Sequence, residues 1–236
     1  EPPTALQRIF DRFGNDRVQL IPTDGLALKN GRILLFAYLT ASHGKHETIC
    51  LASDDRGRSW FHLSTPGKWE DRFDTENLLA HATNGLCEPS VAQLENGNLF
   101  LVMRLGSRHP LYATCSSDAG ASWNPPRPLS VWGILPAVER LADNTLALVS
   151  GRPHVTFSVS VDGGYRWPLT YRFLEDGKPE DASTRNNTML KIGPQELLFM
   201  YDYGGYHENL SNRFGGERRV VGHFIRVENP KSALTG

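Results

Sequence analysis

Cysteine is scarce in this chain, with three among 236 residues and no Cys-x-x-Cys pair. An odd number at unrelated spacings argues against a disulfide framework or a thiolate metal site. Cys50 and Cys115 stand inside apolar, strand-like runs, where a free thiol behaves as a small hydrophobe. Charge of one sign is also missing: 25 basic against 26 acidic residues leave a formal net charge of -1. That balance offers no electrostatic footprint for nucleic acid or an anionic membrane surface. The apolar runs Ile33 to Leu39 and Leu197 to Met200 are far shorter than the roughly 20 residues of a membrane-spanning helix. The first residues, Glu-Pro-Pro-Thr, have neither the charged nor the apolar region of a signal peptide. They predict a soluble chain and leave its location open. Histidines do not pair at metal-ligand spacing, and no cofactor is expected. Sustained helical periodicity is absent as well.

What is present is a repeat. The pattern Ser-x-Asp-x-Gly-x-x-Trp occurs as Ser53/Asp55/Gly57/Trp60, Ser116/Asp118/Gly120/Trp123 and Ser160/Asp162/Gly164/Trp167. Each fixed position has its own physical job. The short Ser and Asp side chains bond backbone N–H groups of a tight turn. Glycine supplies a positive φ without steric cost, and tryptophan buries apolar area while its N–H finds an acceptor. Such recurrence indicates a repeat architecture.

Strand–turn–strand signatures sit between these turns. They run Leu26–Phe36 around Asn30-Gly31, Val91–Val102 around Asn96-Gly97, Val138–Val149 around Asp143-Asn144, and Met189–Phe199 around Gly193-Pro194. Asn-Gly predicts a two-residue hairpin turn with both residues at positive φ. Room remains in each unit for a third strand before the eight-residue box and a short fourth after it, for example Trp60 to Leu63. Four short antiparallel strands, repeated, make a β-propeller blade. The expected fold is therefore all-β, one propeller domain over 1–236, with blades near 18–65, 87–130, 131–175 and 183–228. Residues 66–86 read as an inserted loop with room for one helical turn. Ser211-Asn-Arg-Phe-Gly215 keeps part of the box, with Arg213 in place of Asp. Asn186-Asn-Thr and Asn209-Leu-Ser fit the glycosylation acceptor pattern, which a short motif also meets by accident.

The box and the segments between its copies resemble the sialidase (neuraminidase) superfamily, which is built on six-bladed propellers. Gly25-Leu-Ala-Leu-Lys-Asn-Gly-Arg-Ile-Leu is similar to the segment that opens its third blade. Cys87-Glu88-Pro-Ser-Val-Ala-Gln-Leu is similar to the one that opens its fourth. On this resemblance the chain corresponds to blades three to six. Glu88 then stands where the family has the glutamate that polarises a tyrosine nucleophile. Arg104, ending Leu101-Val-Met-Arg, and Arg152 stand where two of the family's substrate-clamping arginines do. Forked, charge-assisted hydrogen bonds suit arginine to the carboxylate of a sialic acid. A tyrosine nucleophile departs from the paired-carboxylate scheme of most glycosidases.

The chain also departs from the family. Thr184-Arg185-Asn186-Asn187-Thr188 aligns with the segment that supplies the nucleophile, and Asn186 takes the tyrosine's position. The first arginine and the acid/base aspartate of the family belong to a blade not seen here. Asn186, Arg185 and Asp202, beside Tyr201 at the end of the last inner strand, are further candidates for substrate contact. Asp24 joins them from a loop position. His43, His46 and Glu47 occupy similar loop positions without a motif to assign them. Tyr203, Tyr206 and His207 could stack on a sugar ring. Three functions fit: a sialidase-like hydrolase of a terminal acidic sugar, with Glu88, Arg104 and Arg152 as its catalytic set, a carbohydrate-binding propeller without catalysis, or an interaction platform.

Overall fold

The computed structural model describes residues 21–70, 72–75, 83–106, 109–152, 154–173, 186–203 and 219–228. Arg185, Tyr206, His207 and the Ser211–Gly215 segment lie outside them. The described chain forms two compact units. One holds residues up to 106 with 112–128; the other holds 109–111 with the residues from 129 on.

Strands follow one another as antiparallel meanders. The first sheet is β1 (Ile21–Ala27), β2 (Ile33–Thr40), β3 (His46–Ser53) and β4 (Phe61–Gly67). The second is β5 (Thr83–Gln93), β6 (Leu99–Gly106), β7 (Pro110–Ser116) and β8 (Arg127–Trp132). In the second unit, β9 (Ile134–Arg140), β10 (Leu146–Gly151), β11 (Val155–Ser160) and β12 (Leu169–Phe173) form a third. The fourth, among the described residues, has three strands: β13 (Asn187–Lys191), β14 (Glu196–Tyr203) and β15 (Arg219–Arg226).

Middle strands read as apolar runs because both of their faces are covered. β10 and β11 are buried at every position, whereas the outer strand β12 is mostly exposed. In the first unit Leu34, Phe36 and Cys50 of one sheet pack with Leu99, Leu101 and Met103 of the next. The second unit's core joins Val149, Phe157 and Val159 to Met189, Phe199 and Tyr201. All three cysteines are free thiols, and burial pushes Cys50 and Cys87 up to about 12.

Two turns differ from the sequence expectation. At Asn30-Gly31 and Asn96-Gly97 only the glycine has positive φ, 89° and 87°. Gly31 N–H bonds Leu28 O, and Gly97 N–H bonds Leu94 O, while each asparagine side chain accepts the N–H two residues on. That is a type I turn closed by a glycine bulge, in which the asparagine side chain, not a left-handed asparagine backbone, stabilises the corner. Asp143 and Asn144 do both take positive φ, 57° and 60°. The segment 66–86, expected as an inserted loop with room for one helical turn, contains such a turn at Arg72–Thr75, and also the start of β5. Phe73 of that turn is fully buried, with its ring edge-on to Tyr112 at 5.3 Å.

The three boxes share one geometry. In each, the serine hydroxyl donates to the aspartate at 2.8–2.9 Å and accepts the glycine N–H at 2.7–2.9 Å. The tryptophan Nε1–H donates to the carbonyl of the box glycine at 3.1–3.2 Å.

Candidate functional site

Glu88 lies on β5 where that strand bulges. Cys87 pairs with Arg104 and Ser90 with Val102, so β5 spends one residue more than β6 over this stretch. Glu88 takes up the difference with a left-handed backbone, φ 50°. Pro89 follows without a ladder donor to lose. The bulge turns the Glu88 side chain onto its neighbour strand, where Arg104 Nη1 donates to Oε1 at 2.5 Å. Side-chain exposures of 11% for Glu88 and 14% for Arg104 make this a largely desolvated ion pair. A bulge re-aims a side chain, and a strained non-glycine residue persists only where its surroundings fix it.

Gly85 makes the approach of the first sheet possible. A Cβ there would meet His46 O at 2.3 Å, and the two residues form the one bridge joining β3 to β5. The same approach brings Tyr38 and His46 to the pair. Their rings meet edge-on at 5.2 Å, and Thr40 Oγ1 lies 3.1 Å from His46 Nδ1. Burial lowers the His46 pKa, the Arg104 charge adds to that, and Glu88 opposes it. Burial raises the Tyr38 hydroxyl, with Cys87 and Glu88 acting in the same direction.

Strand register relates the remaining candidates. Ile33, Leu99, Leu146 and Leu197 are equivalent first rungs of their hairpins, paired with Ala27, Gln93, Arg140 and Lys191. The same count along each second strand reaches Tyr38, Arg104, Gly151 and Asp202. On the first strands it reaches Pro22, Glu88, Leu135 and Asn186. Asn186 and Asp202 repeat the Glu88–Arg104 geometry with different chemistry. Asp202 accepts the Asn186 backbone N–H at 2.9 Å and its side-chain amide at 3.0 Å, across the same separation of 16 residues. Arg152 falls one residue beyond this rung, partly buried and with φ 45°, because Gly151 pairs with Ile134 at a bulge. Asp24 is tied to β5: its carboxylate accepts Ser90 Oγ–H and Val91 N–H, both at 2.8 Å. Burial raises its pKa, and those hydrogen bonds pull the other way. Among the described residues no three His, Cys, Asp or Glu side chains cluster as metal ligands. Tyr38 had no sequence signal of its own, although aligning the hairpins places it at the rung of Arg104.

A family model described as "BNR repeat-like domain" matches residues 11–207. The chain belongs to this family. No curated protein matches it. Among solved structures it is similar to a protein of unknown function from Dyadobacter fermentans, at 19% identity and a TM-score of 0.66, covering 86% of this chain and 52% of that one. An α-L-arabinanase of Penicillium chrysogenum complexed with arabinobiose shares 16% identity, with a TM-score of 0.62 and coverage of 91% and 64%. A Hadza microbial sialidase shares 18%, with a TM-score of 0.57 and coverage of 78% and 35%. The fold is thus that of the sialidase-like β-propellers, all-β with antiparallel blades, three of them four-stranded among the described residues. The chain spans between about a third and two-thirds of the length of these structures. No helix among the described residues is long and apolar enough to cross a membrane.

Proposed function

We propose that the BNR chain carries the sugar site of a sialidase-like glycoside hydrolase acting on a terminal acidic sugar, with Glu88 and Arg104 at its centre. The observation that carries this reading is the desolvated Glu88–Arg104 pair on a strained bulge. A left-handed non-glycine residue is a reason to look for function, and a buried ion pair is weak evidence of a stabilising role. An arginine fork suits a sugar carboxylate, and a buried glutamate beside it suits general-base work on an attacking water. From the sequence resemblance Arg152 is carried as a second cation, and Asn186, Arg185 and Asp202 as candidate polar contacts, each to be tested by substitution. Sialidase and arabinanase names both occur among the similar structures, so acidic and neutral sugars are the two substrates to compare.

A second reading is supported by Asn186. Its amide is engaged with Asp202 and is no nucleophile, which favours a propeller that binds the sugar without cleaving it. The test is turnover of fluorogenic N-acetylneuraminide and α-L-arabinofuranoside substrates by the chain and its Glu88→Gln variant. Turnover of the acidic substrate that falls by about 100-fold or more in Glu88→Gln is expected. Turnover untouched by that change removes Glu88 from the chemistry. Binding of free sugar without turnover selects the second reading.

A further inference from the structure

Four residues of the first sheet converge on β5 around Glu88. Thr48 Oγ1–H donates to Leu86 O at 3.0 Å, and His46 bridges Gly85. On the other side, Thr23 Oγ1–H donates to Pro89 O at 2.6 Å. The Asp24 carboxylate takes the Ser90 hydroxyl and the Val91 N–H at 2.8 Å. Thr48 and Ser90 are buried.

The register of β1 shows how two consecutive residues can reach the same strand. Pro22 pairs with Ala37 and Asp24 with Phe36, which leaves Thr23 as an extra residue of a bulge. Regular strands send successive side chains to opposite faces, and a bulge breaks that alternation. The bulge in β1 therefore meets the bulge in β5. One bulge holds the other in its strained shape at Glu88.

From this we infer that Thr23 and Asp24 are positioning residues for Glu88, fixing the β5 bulge so that its carboxylate faces Arg104. The inference rests on the proposed role of Glu88 and gives Asp24 a different task from substrate contact. Both oxygens of Asp24 already serve the backbone clamp, since Oδ1 also accepts Gly25 N–H at 2.7 Å. Small displacements of a reacting group have large kinetic effects: about 1 Å of misplacement can lower a rate 100-fold.

The test uses the full chain with Thr23→Val, Asp24→Asn, and Asp24→Ala combined with Thr23→Val. Two readouts are taken: proton exchange at the Arg104 guanidinium by NMR, and kcat and KM on whichever fluorogenic substrate is turned over. In the double variant, Arg104 exchange is expected to rise by about tenfold and kcat to fall by at least about tenfold, with KM little changed. Asp24→Asn keeps an acceptor for Val91 N–H and is expected to recover most of both. Ser116→Ala, in a box, serves as the control that lowers stability without altering Arg104 exchange. Unchanged Arg104 exchange in both Thr23→Val and the double variant overturns the clamp, as does an equal rise in the control. If Glu88→Gln leaves turnover intact, the role of Glu88 in chemistry fails while the Arg104 readout still decides the clamp.

Discussion

The box aspartates show how single residues are tuned by what donates to them. Asp55 and Asp118 are each held at about 2, below the ordinary 3.8, first by a serine hydroxyl (Ser59, Ser122) and then by the N–H of that same serine. Such carboxyls bind protons more weakly in the folded chain than in the unfolded one. The stability they lend is complete above about pH 4 and is lost as pH falls towards about 2. Urea midpoints of the chain and of Asp118→Asn, taken from pH 6 downwards, check this. The gap between them is expected to stay constant to about pH 4 and then to close; a gap that ignores pH would contradict it. At this scale the sequence was informative where a motif marked a position, as with Glu88 and Arg104, which the structure brings together as an ion pair. It was silent on Tyr38 and on the clamp made by Thr23 and Asp24. Those depend on which strand lies alongside, and no short window of residues encodes that.

At the scale of the element, hairpins and boxes were legible because their chemistry is local. The box serine illustrates what such an element contributes. Ser116 is buried and accepts the buried Gly120 N–H while donating to Asp118. Ser116→Ala leaves that N–H without its acceptor and is expected to cost about 1–3 kcal/mol in equilibrium unfolding. A loss well under 0.5 kcal/mol would mean that the hydroxyl is replaceable by water. The turn type at Asn30-Gly31 escaped the sequence reading because two geometries share one dipeptide. The asparagine side chain bonding Arg32 N–H decides between them. Bulges were equally hidden: β1 and β5 have no clean apolar alternation for an extra residue to interrupt. In the inserted segment the helical turn that the sequence allowed for is anchored by the aromatic pair Trp69 and Phe73, whose rings meet at 5.5 Å.

For the molecule as a whole, the repeat made the architecture readable, and the family match agrees with it. Counted hairpin by hairpin, the equivalent rungs are Tyr38, Arg104, Gly151 and Asp202, a common frame of register. Side-chain chemistry varies along the frame while the sheets repeat. That separation explains why the boxes announced the fold so clearly and the substrate so little. On the proposed function, the substrate is chosen by side chains at such rungs rather than by the boxes. The most direct measurement of the central claim is calorimetric titration of free N-acetylneuraminic acid into the chain and into Arg104→Lys. Lysine keeps the charge but loses the forked geometry. The account predicts binding that weakens by about tenfold or more in a folded Arg104→Lys. Equal affinity in the two proteins would contradict it and take the sugar site away from the Glu88–Arg104 pair.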